Sequence, residues 1–400
     1  MSKVILHIDL NAFFVRCEEL ENPSIGGKPV IIGHEGRGGV VSTCSYEARK
    51  FGIHSGMPTF MATKLCPHVL IIPGHYELYS RKSKEFIHFV KKYSQLIEQA
   101  SVDECFIDMT KQLSKEKNPV EYLKNMQQAL LDETGLKCSI GVGPTKFLAK
   151  MGSDYKKPMG ITIIRRKDIK DIIYPLPIES FFGIGKKTAP RLKELGIKTI
   201  GDLAERINNE DDEIKHQFGK MYYTIKDWIN GYGNDIIDTD DYDPKSIGNS
   251  TTFSFDTNSF DEIKIYITDL AKEVSERAKK ANKVGNSVQI VLKDSSMKLY
   301  NRSKKLEKHT NDYETILNAS LQLLEKNLSN ELKYRLAGVT LQNLADPGDL
   351  LQQISIFDDY EKIKEECATK LLIGELNRKM KKGVFKTAGE SLREKNNGIK

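Results

Sequence analysis

The chain has 400 residues, with 61 Lys and Arg against 55 Asp and Glu and a formal charge of +6. That length exceeds one compact core and predicts two to four domains, and the modest basic excess suits a polyanionic partner without requiring one. The six cysteines (Cys17, Cys44, Cys66, Cys105, Cys138, Cys367) lack metal-type spacing, and there is no apolar leader or long apolar run, so the expectation is a cytoplasmic protein with reduced thiols and no membrane segment.

Residues 3–14 open with a nearly continuous apolar run, the pattern of a strand buried on both faces, and the run closes on Asp9. An acid at a strand end, followed by Phe13, Phe14 and a helical pattern at residues 15–20, fits an open α/β sheet with a ligand site at its strand ends. Asp9 fits equally well as the N-cap of that helix. From Asn22-Pro23 to about residue 76, Gly and Pro are frequent and apolar runs short, which predicts a small, loop-rich lobe. Within it Thr43, Tyr46 and Arg49 lie three apart. On a helical turn they would present two hydroxyls and a guanidinium to one side, a set suited to a triphosphate or simply an exposed basic face.

Residues 80–92 and 120–134 carry amphipathic helical periodicity, and residues 93–100 lead as a short strand into Ser101-Val102-Asp103-Glu104. Strict alternation puts neighbouring carboxylates on opposite faces, so Asp103 and Glu104 serve one site only if the chain turns there as a hairpin tip. Taken alone, the pair reads as a solvated turn. Asp9 adds a third acid, and clustered carboxylates must shift their pKa values or neutralise their charge with metal ions; Mg²⁺ takes such hard oxygen ligands. Residues 137–142 read as a strand and 146–153 as a helix, joined by a glycine turn without phosphate-loop spacing. Further on, Gly183-Ile184-Gly185-Lys186-Lys187 lies in a helical hairpin pattern whose glycine turn can offer N–H groups and lysines to a DNA phosphate, or is an ordinary αα-hairpin. The Asp-rich residues 234–246 look like an exposed linker. After it, strands at 250–255, 287–293, 297–305 and 334–344 and helices at 260–281 and 312–328 give a βαββαβ order, an α+β sandwich.

Four segments, in this order and spacing, carry a family likeness: His7-Ile8-Asp9-Leu10-Asn11-Ala12-Phe13-Phe14, residues 42–52 from Ser42 to Gly52, Ser101-Val102-Asp103-Glu104, and Lys156-Lys157-Pro158-Met159-Gly160. Through them the chain resembles the Y-family DNA polymerases of the DNA polymerase IV (DinB) type, from its first strand to about residue 345. The resemblance implies an α+β multidomain right hand: palm at 1–12 and 78–165, fingers at 13–77, and a helix-hairpin-helix thumb at 166–233. A linker at 234–246, a βαββαβ little finger at 247–345 and a tail at 346–400 complete it. The implied activity is template-directed, error-prone translesion DNA synthesis, a nucleotidyl transfer from dNTP to a primer 3′-hydroxyl. Asp9, Asp103 and Glu104 are the implied catalytic carboxylates, and with the Leu10 carbonyl they are expected to hold two Mg²⁺ ions.

The same resemblance places Phe13, Phe14, Thr43, Tyr46, Arg49 and Lys157 at the nucleotide, with Phe14 as the steric gate against a 2′-hydroxyl. Val40, Ser42 and Gly56 match the small residues that the family lays over the nascent base pair. Gly183, Gly185, Lys186 and Lys187 of the thumb are expected at the DNA backbone, as are Lys293, Lys298, Arg302, Lys304 and Lys305 on one basic sheet face. No second acidic constellation is left for a 3′-exonuclease, so no proofreading is expected. Past Pro347, Gln353-Ile354-Ser355-Ile356-Phe357 resembles the peptide that docks bacterial polymerases on the sliding clamp, anchored by Gln353, Ile356 and Phe357; a helix start is the alternative. The Lys-rich tail beyond it reads as a DNA-binding or a solubilising arm. The expected partners are primer-template DNA, dNTP and the clamp, and the expected state is a monomer. A non-catalytic DNA and clamp scaffold, or another two-metal nucleotidyl enzyme on a similar palm, stay open at this point. Asn11 stands where relatives have Asp.

Overall fold

The computed structural model describes residues 3–240, 243–348 and Leu372. Gln353, Ile356 and Phe357 lie outside the described residues, and the chain divides between Asp241 and Tyr242 into two compact units. The first unit begins with β1 (Ile5–Leu10), α1 (Phe13–Glu21), β2 (Val30–Ile32), β3 (Thr43–Cys44), α2 (Tyr46–Arg49), α3 (Thr59–Leu65) and β4 (Leu70–Ile72). It continues with α4 (Tyr76–Val90), β5 (Ile97–Gln99), β6 (Glu104–Asp108), α5 (Thr110–Leu113), α6 (Pro119–Thr134), β7 (Cys138–Gly143), α7 (Lys146–Tyr155) and β8 (Ile161–Ile163). Five helices complete it: α8 (Ile169–Ile172), α9 (Thr188–Glu194), α10 (Ile200–Asn208), α11 (Asp212–Phe218) and α12 (Met221–Ile229).

The main sheet has the order β5-β6-β1-β7-β8. Its central strand β1 runs antiparallel to both β6 and β7, and only β7 and β8 are parallel. This corrects the open α/β sheet that the apolar run of β1 suggested. All six residues of β1 are buried, because α1, α4 and α6 supply the core on one side and α7 packs on the other. A strand covered on both faces carries the same apolar pattern whichever way its neighbours run. Glycine brings α7 in: a Cβ on Gly141 of β7 would stand 1.9 Å from the Ala149 carbonyl oxygen and 2.2 Å from the Ser153 nitrogen. Thr145 caps α7 by accepting the Leu148 N–H, and the helix so placed carries Lys150, Ser153 and Asp154 against β1 and β7.

A second sheet, β3-β2-β4, encloses a small core of its own around Ile31, Val41, Cys44, Ala48 and Ile53. Phe13, Val15 and Cys17 of α1 belong instead to the core of the main sheet, so the packing does not divide at residue 12, where the palm was expected to give way to the fingers. Helices α8 to α12 surround Ile178, Leu192, Ile200, Leu203, Tyr222 and Ile229. The expected linker is strapped to the main sheet at its start. Ile237 packs on Ile5, Phe106 and Ala149, the Asp238 N–H donates to Glu98 at 2.8 Å, and Lys3 reaches the Asp235 carbonyl at 3.0 Å. Isoleucine among the aspartates anchors a segment that charge alone would have left in solvent.

The second unit comprises β9 (Ser246–Thr257), α13 (Phe260–Lys280), β10 (Val284–Asp294), β11 (Leu299–Thr310), α14 (Tyr313–Asn327) and β12 (Tyr334–Ala345). This is the expected βαββαβ order, folded as an antiparallel sheet β11-β10-β12-β9 with α13 and α14 on one face. The register corrects the basic face. Arg302 and Lys304 lie opposite Ile290 and Val288, which are buried under the helices, and they bond Asn327 at 2.9 Å and Gln322 on α14. Lys305 and Lys293 lie on the other, open face beside Ser287 and Leu299. Lys298 stands in the turn before β11, 5.3 Å over the Tyr300 ring. Alternation along β11 splits neighbouring bases between two sides. Among the described residues the five cysteines are free and buried, and no helix is long and apolar enough to cross a membrane.

Candidate active site

Asp9 near the end of β1 and Glu104 at the start of β6 are direct cross-strand partners, so their side chains leave the same face of the sheet. The chain does turn between Ser101 and Glu104, as the acidic pair required. There the Leu10 N–H donates to the Asp103 carbonyl at 2.9 Å, and the Ser101 hydroxyl donates to the Asp103 carboxylate at 2.6 Å. Asp9 is not the cap of α1. That position belongs to Ala12, in the left-handed region at φ 47°, with no side-chain cap.

Two ammonium groups, far from these carboxylates in sequence, hold them. Lys150, 8% exposed, lies 2.7 Å from Glu104 Oε1, 3.0 Å from Asp9 Oδ2 and 3.4 Å from Asp154 Oδ2. Lys157 lies 2.8 Å from the same Asp9 oxygen and 2.7 Å from Asp154 Oδ1. Lys150, Asp154 and Lys157 are spaced four and three apart, the one signal in the sequence for this face. Behind Glu104, the fully buried His7 meets the Ser153 hydroxyl through Nδ1 at 2.7 Å. Its Nε2 has no hydrogen-bond partner and stands 3.6 Å from Glu104 Oε2. Asn11 accepts the Met159 N–H at 2.8 Å and donates to Ser139 at 3.0 Å, tying the end of β1 to the loop that carries Lys157.

The electrostatics follow from crowding acids in a buried place. Burial, then the neighbouring Glu104, pushes Asp9 up to about 7 against the pull of the lysines, and burial likewise raises Asp103. Burial opposes the charge of Glu104 too, but the His7 ring 3.6 Å away, Asp9 and Lys150 outweigh it and hold that group well below the ordinary carboxylate range. Burial works against Lys150 and Lys157 as cations, yet the facing carboxylates raise both. His7 is lowered, chiefly by burial.

These groups floor a cavity of about 260 Å³. Its opposite wall bears Phe14, Ser42, Thr43, Tyr46 and Arg49. Thr43 is not on the helical turn with Tyr46 and Arg49: it opens β2's partner strand β3, and Ser45 caps α2 between them. All three nevertheless converge, with the Arg49 guanidinium 4.9 Å over the Tyr46 ring. Phe13 and Phe14 both line the cavity, Phe13 only 2% exposed and part of the core and Phe14 half-buried. Val40 and Ser42 are exposed, and nothing lies within 4 Å of a Cβ placed on Gly56.

The donor set suits a hard divalent cation, since it is made of oxygens alone. Among the described residues no three His, Cys, Asp or Glu converge closely enough to hold a metal as they stand, because the two ammoniums occupy the space between Asp9, Glu104 and Asp154. Asp9 and Asp103 are raised first by burial, with Glu104 beside them adding to it, and in donor chemistry the residues fit a divalent ion. At the candidate DNA surface of the helical region, Gly183 takes φ 96°, and the exposed Lys186 and Lys187 lead into α9.

Family models match three stretches of the chain: the impB/mucB/samB family over residues 8–154, its C-terminal domain over 244–356, and the IMS family HHH motif over 166–197. The DNA polymerase IV of Bacillus velezensis is 35% identical over 94% of this chain and 90% of its own length. DNA polymerase IV 1 of Bacillus subtilis is 34% identical over 98% and 96%. Among solved structures, the Y-family DNA polymerase chimera of Dbh and Dpo4 superposes with a TM-score of 0.75 at 26% identity, covering 85% of this chain and 99% of the chimera. An insertion ternary complex of Dbh DNA polymerase gives 0.58 at 26% identity, with the same two coverages. With the acidic floor, the helical hairpin and the βαββαβ unit in their places, the chain belongs to the Y-family DNA polymerases, of the DNA polymerase IV type.

Proposed function

We propose that the chain copies DNA past damaged bases, with errors and without proofreading, by moving a nucleotidyl group from a dNTP to a primer 3′-hydroxyl. As a member of its family it is a DNA-directed DNA polymerase, a nucleotidyltransferase, and the family is metal-dependent. The observation that carries the finer reading is the cross-strand pair Asp9 and Glu104, with Asp103 beside them, facing Thr43, Tyr46 and Arg49 across one cavity. Asp9, Asp103, Glu104 and the Leu10 carbonyl would hold two Mg²⁺ ions, which when bound neutralise the charge that develops on the attacking and leaving oxygens of an in-line displacement.

The remaining work falls to side chains of this protein. Arg49 forks onto phosphate oxygens, the hydroxyls of Thr43 and Tyr46 add donors, and Lys157 turns from Asp9 to the triphosphate. Phe14 rejects a 2′-hydroxyl. Gly183, Gly185, Lys186 and Lys187 and the open-face Lys293 and Lys305 hold primer-template DNA by its backbone, without reading bases. The palm at 1–12 and 78–165, fingers at 13–77, thumb at 166–233, linker at 234–246 and little finger at 247–345 are the proposed domains, with α1 packing Phe13, Val15 and Cys17 into the core of the palm sheet. Gln353, Ile356 and Phe357 dock the polymerase, a cytoplasmic monomer, on the sliding clamp.

The test is extension of a primed template with Mg²⁺ by the wild type and by Asp103→Ala. Extension by the wild type alone, with no shortening of a mispaired primer end, is the expected result. DNA binding by both proteins with extension by neither would refute the reading.

A further inference from the structure

We infer that Glu18 sets sugar selectivity: its buried carboxylate holds Tyr79, and through Tyr79 the ring of Phe14, against the incoming nucleotide. The inference rests on Phe14 being the gate. A gate discriminates only if it does not yield, and Phe14 is half-buried on the cavity wall, so it needs a backing. That backing is Tyr79, whose ring stacks on Phe14 at 4.2 Å and 12°; the Tyr76 and Phe13 rings are farther away, at 6.3 and 5.5 Å.

Tyr79 is itself fixed at its far end. The ring is 2% exposed, and its hydroxyl donates to Glu18 Oε1 at 2.5 Å. Glu18 lies one helical turn beyond Phe14 on α1, 6% exposed, and both its oxygens are also within 2.9 and 3.0 Å of His75 Nδ1. An apolar side chain would pack α1 on α4 without the cost of burying a carboxylate. A charged acceptor aimed at one phenol fixes the ring's direction as well as its distance, because hydrogen bonds to charged groups are short and directional. The carboxylate, the phenol and the gate thus form one line from α1 through α4 to the cavity.

The test compares kcat/KM for a dNTP and the matching rNTP on a primed template. The variants are Glu18→Ala, Glu18→Gln, Tyr79→Phe, Phe14→Ala and the double variant Phe14→Ala with Tyr79→Phe. Tyr79→Phe keeps the packing and removes only the bond, so it serves even if Glu18→Ala folds poorly. Phe14→Ala is expected to lose most of the discrimination. Tyr79→Phe and Glu18→Ala are each expected to lower the dNTP preference about tenfold, the scale of one hydrogen bond to a charged group, mainly by raising rNTP use. Glu18→Gln retains an acceptor for the phenol and should keep most of the preference. In the Phe14→Ala background, Tyr79→Phe should add nothing, because both act through one ring. If Phe14→Ala loses discrimination while Tyr79→Phe and Glu18→Ala leave it unchanged, or lower both substrates equally, the role given to Glu18 is wrong and the gate stands. Unchanged discrimination in Phe14→Ala removes the gate and the inference together.

Discussion

Replacing Asp9 by Asn makes the cost of the crowded carboxylates measurable. Burial and Glu104 push the folded-state value of Asp9 up to about 7, whereas in an unfolded chain an aspartate titrates near about 3.9. A raised folded-state value means that the stability contributed by Asp9 is fully present below the unfolded pKa and is lost as the pH rises through the folded one. At about 1.4 kcal/mol per pH unit, roughly 2 kcal/mol is gone by about pH 5.5 and roughly 4 kcal/mol by about pH 8. Asparagine has the shape of the protonated acid and does not titrate. Without divalent cation, the gain of Asp9→Asn over the wild type should therefore be about 2 kcal/mol greater at about pH 8 than at about pH 5.5. Groups remote from Asp9 titrate alike in both proteins and cancel from the difference. Calorimetry in the presence of a chelator reads the effect as several degrees in the transition of the first unit, on the order of 2–4 °C per kcal/mol. Added Mg²⁺ should then stabilise the wild type and not the variant, because a ligand stabilises the state that binds it. A stability difference between the two proteins that is the same at both pH values would refute the electrostatic account.

Gly141→Ala should move α7 off the sheet, since the added carbon would overlap the Ala149 carbonyl and the Ser153 nitrogen. A loss of at least about 1–3 kcal/mol in denaturant unfolding is expected; an unchanged midpoint would show that the helix yields without cost. On the second unit, Lys305→Ala should weaken DNA binding and reduce the slope of log affinity against log salt by about one. Lys304→Ala, on the helix side and bonded to Gln322, should leave that slope alone. Equal slopes for the two variants would mean that the face of the sheet does not govern the contact.

Asp9, Asp103 and Glu104 could be picked out from local pattern, because a strand that ends on an acid and a hairpin tip with two acids keep their meaning wherever the elements pack. The βαββαβ order of the second unit was legible for the same reason: periods of two and of three to four are properties of the local backbone. What surrounds the acids was not legible. Lys150 meets Asp9 and Glu104 across 141 and 46 residues of chain, and only the close passage of α7 over Gly141 brings it there. Thr43 kept its place on the cavity wall although it lies on a strand, since two elements that are adjacent in space can present what one helical turn would have presented.

The residue pattern by itself determined the long strands and helices, the three candidate acids, the glycine hairpin and the family, because each of these is written in spacing along the chain. Tertiary structure alone decided that β1 has antiparallel neighbours, that Arg302 and Lys304 turn away from Lys305, that Ile237 straps residues 234–238 to the main sheet, and that Glu18 stands behind Tyr79 and Phe14. Each of those depends on register or on which faces meet. Burial leaves the same apolar mark on a strand whichever neighbour covers it, so the choice of neighbour is made only when the surfaces pack.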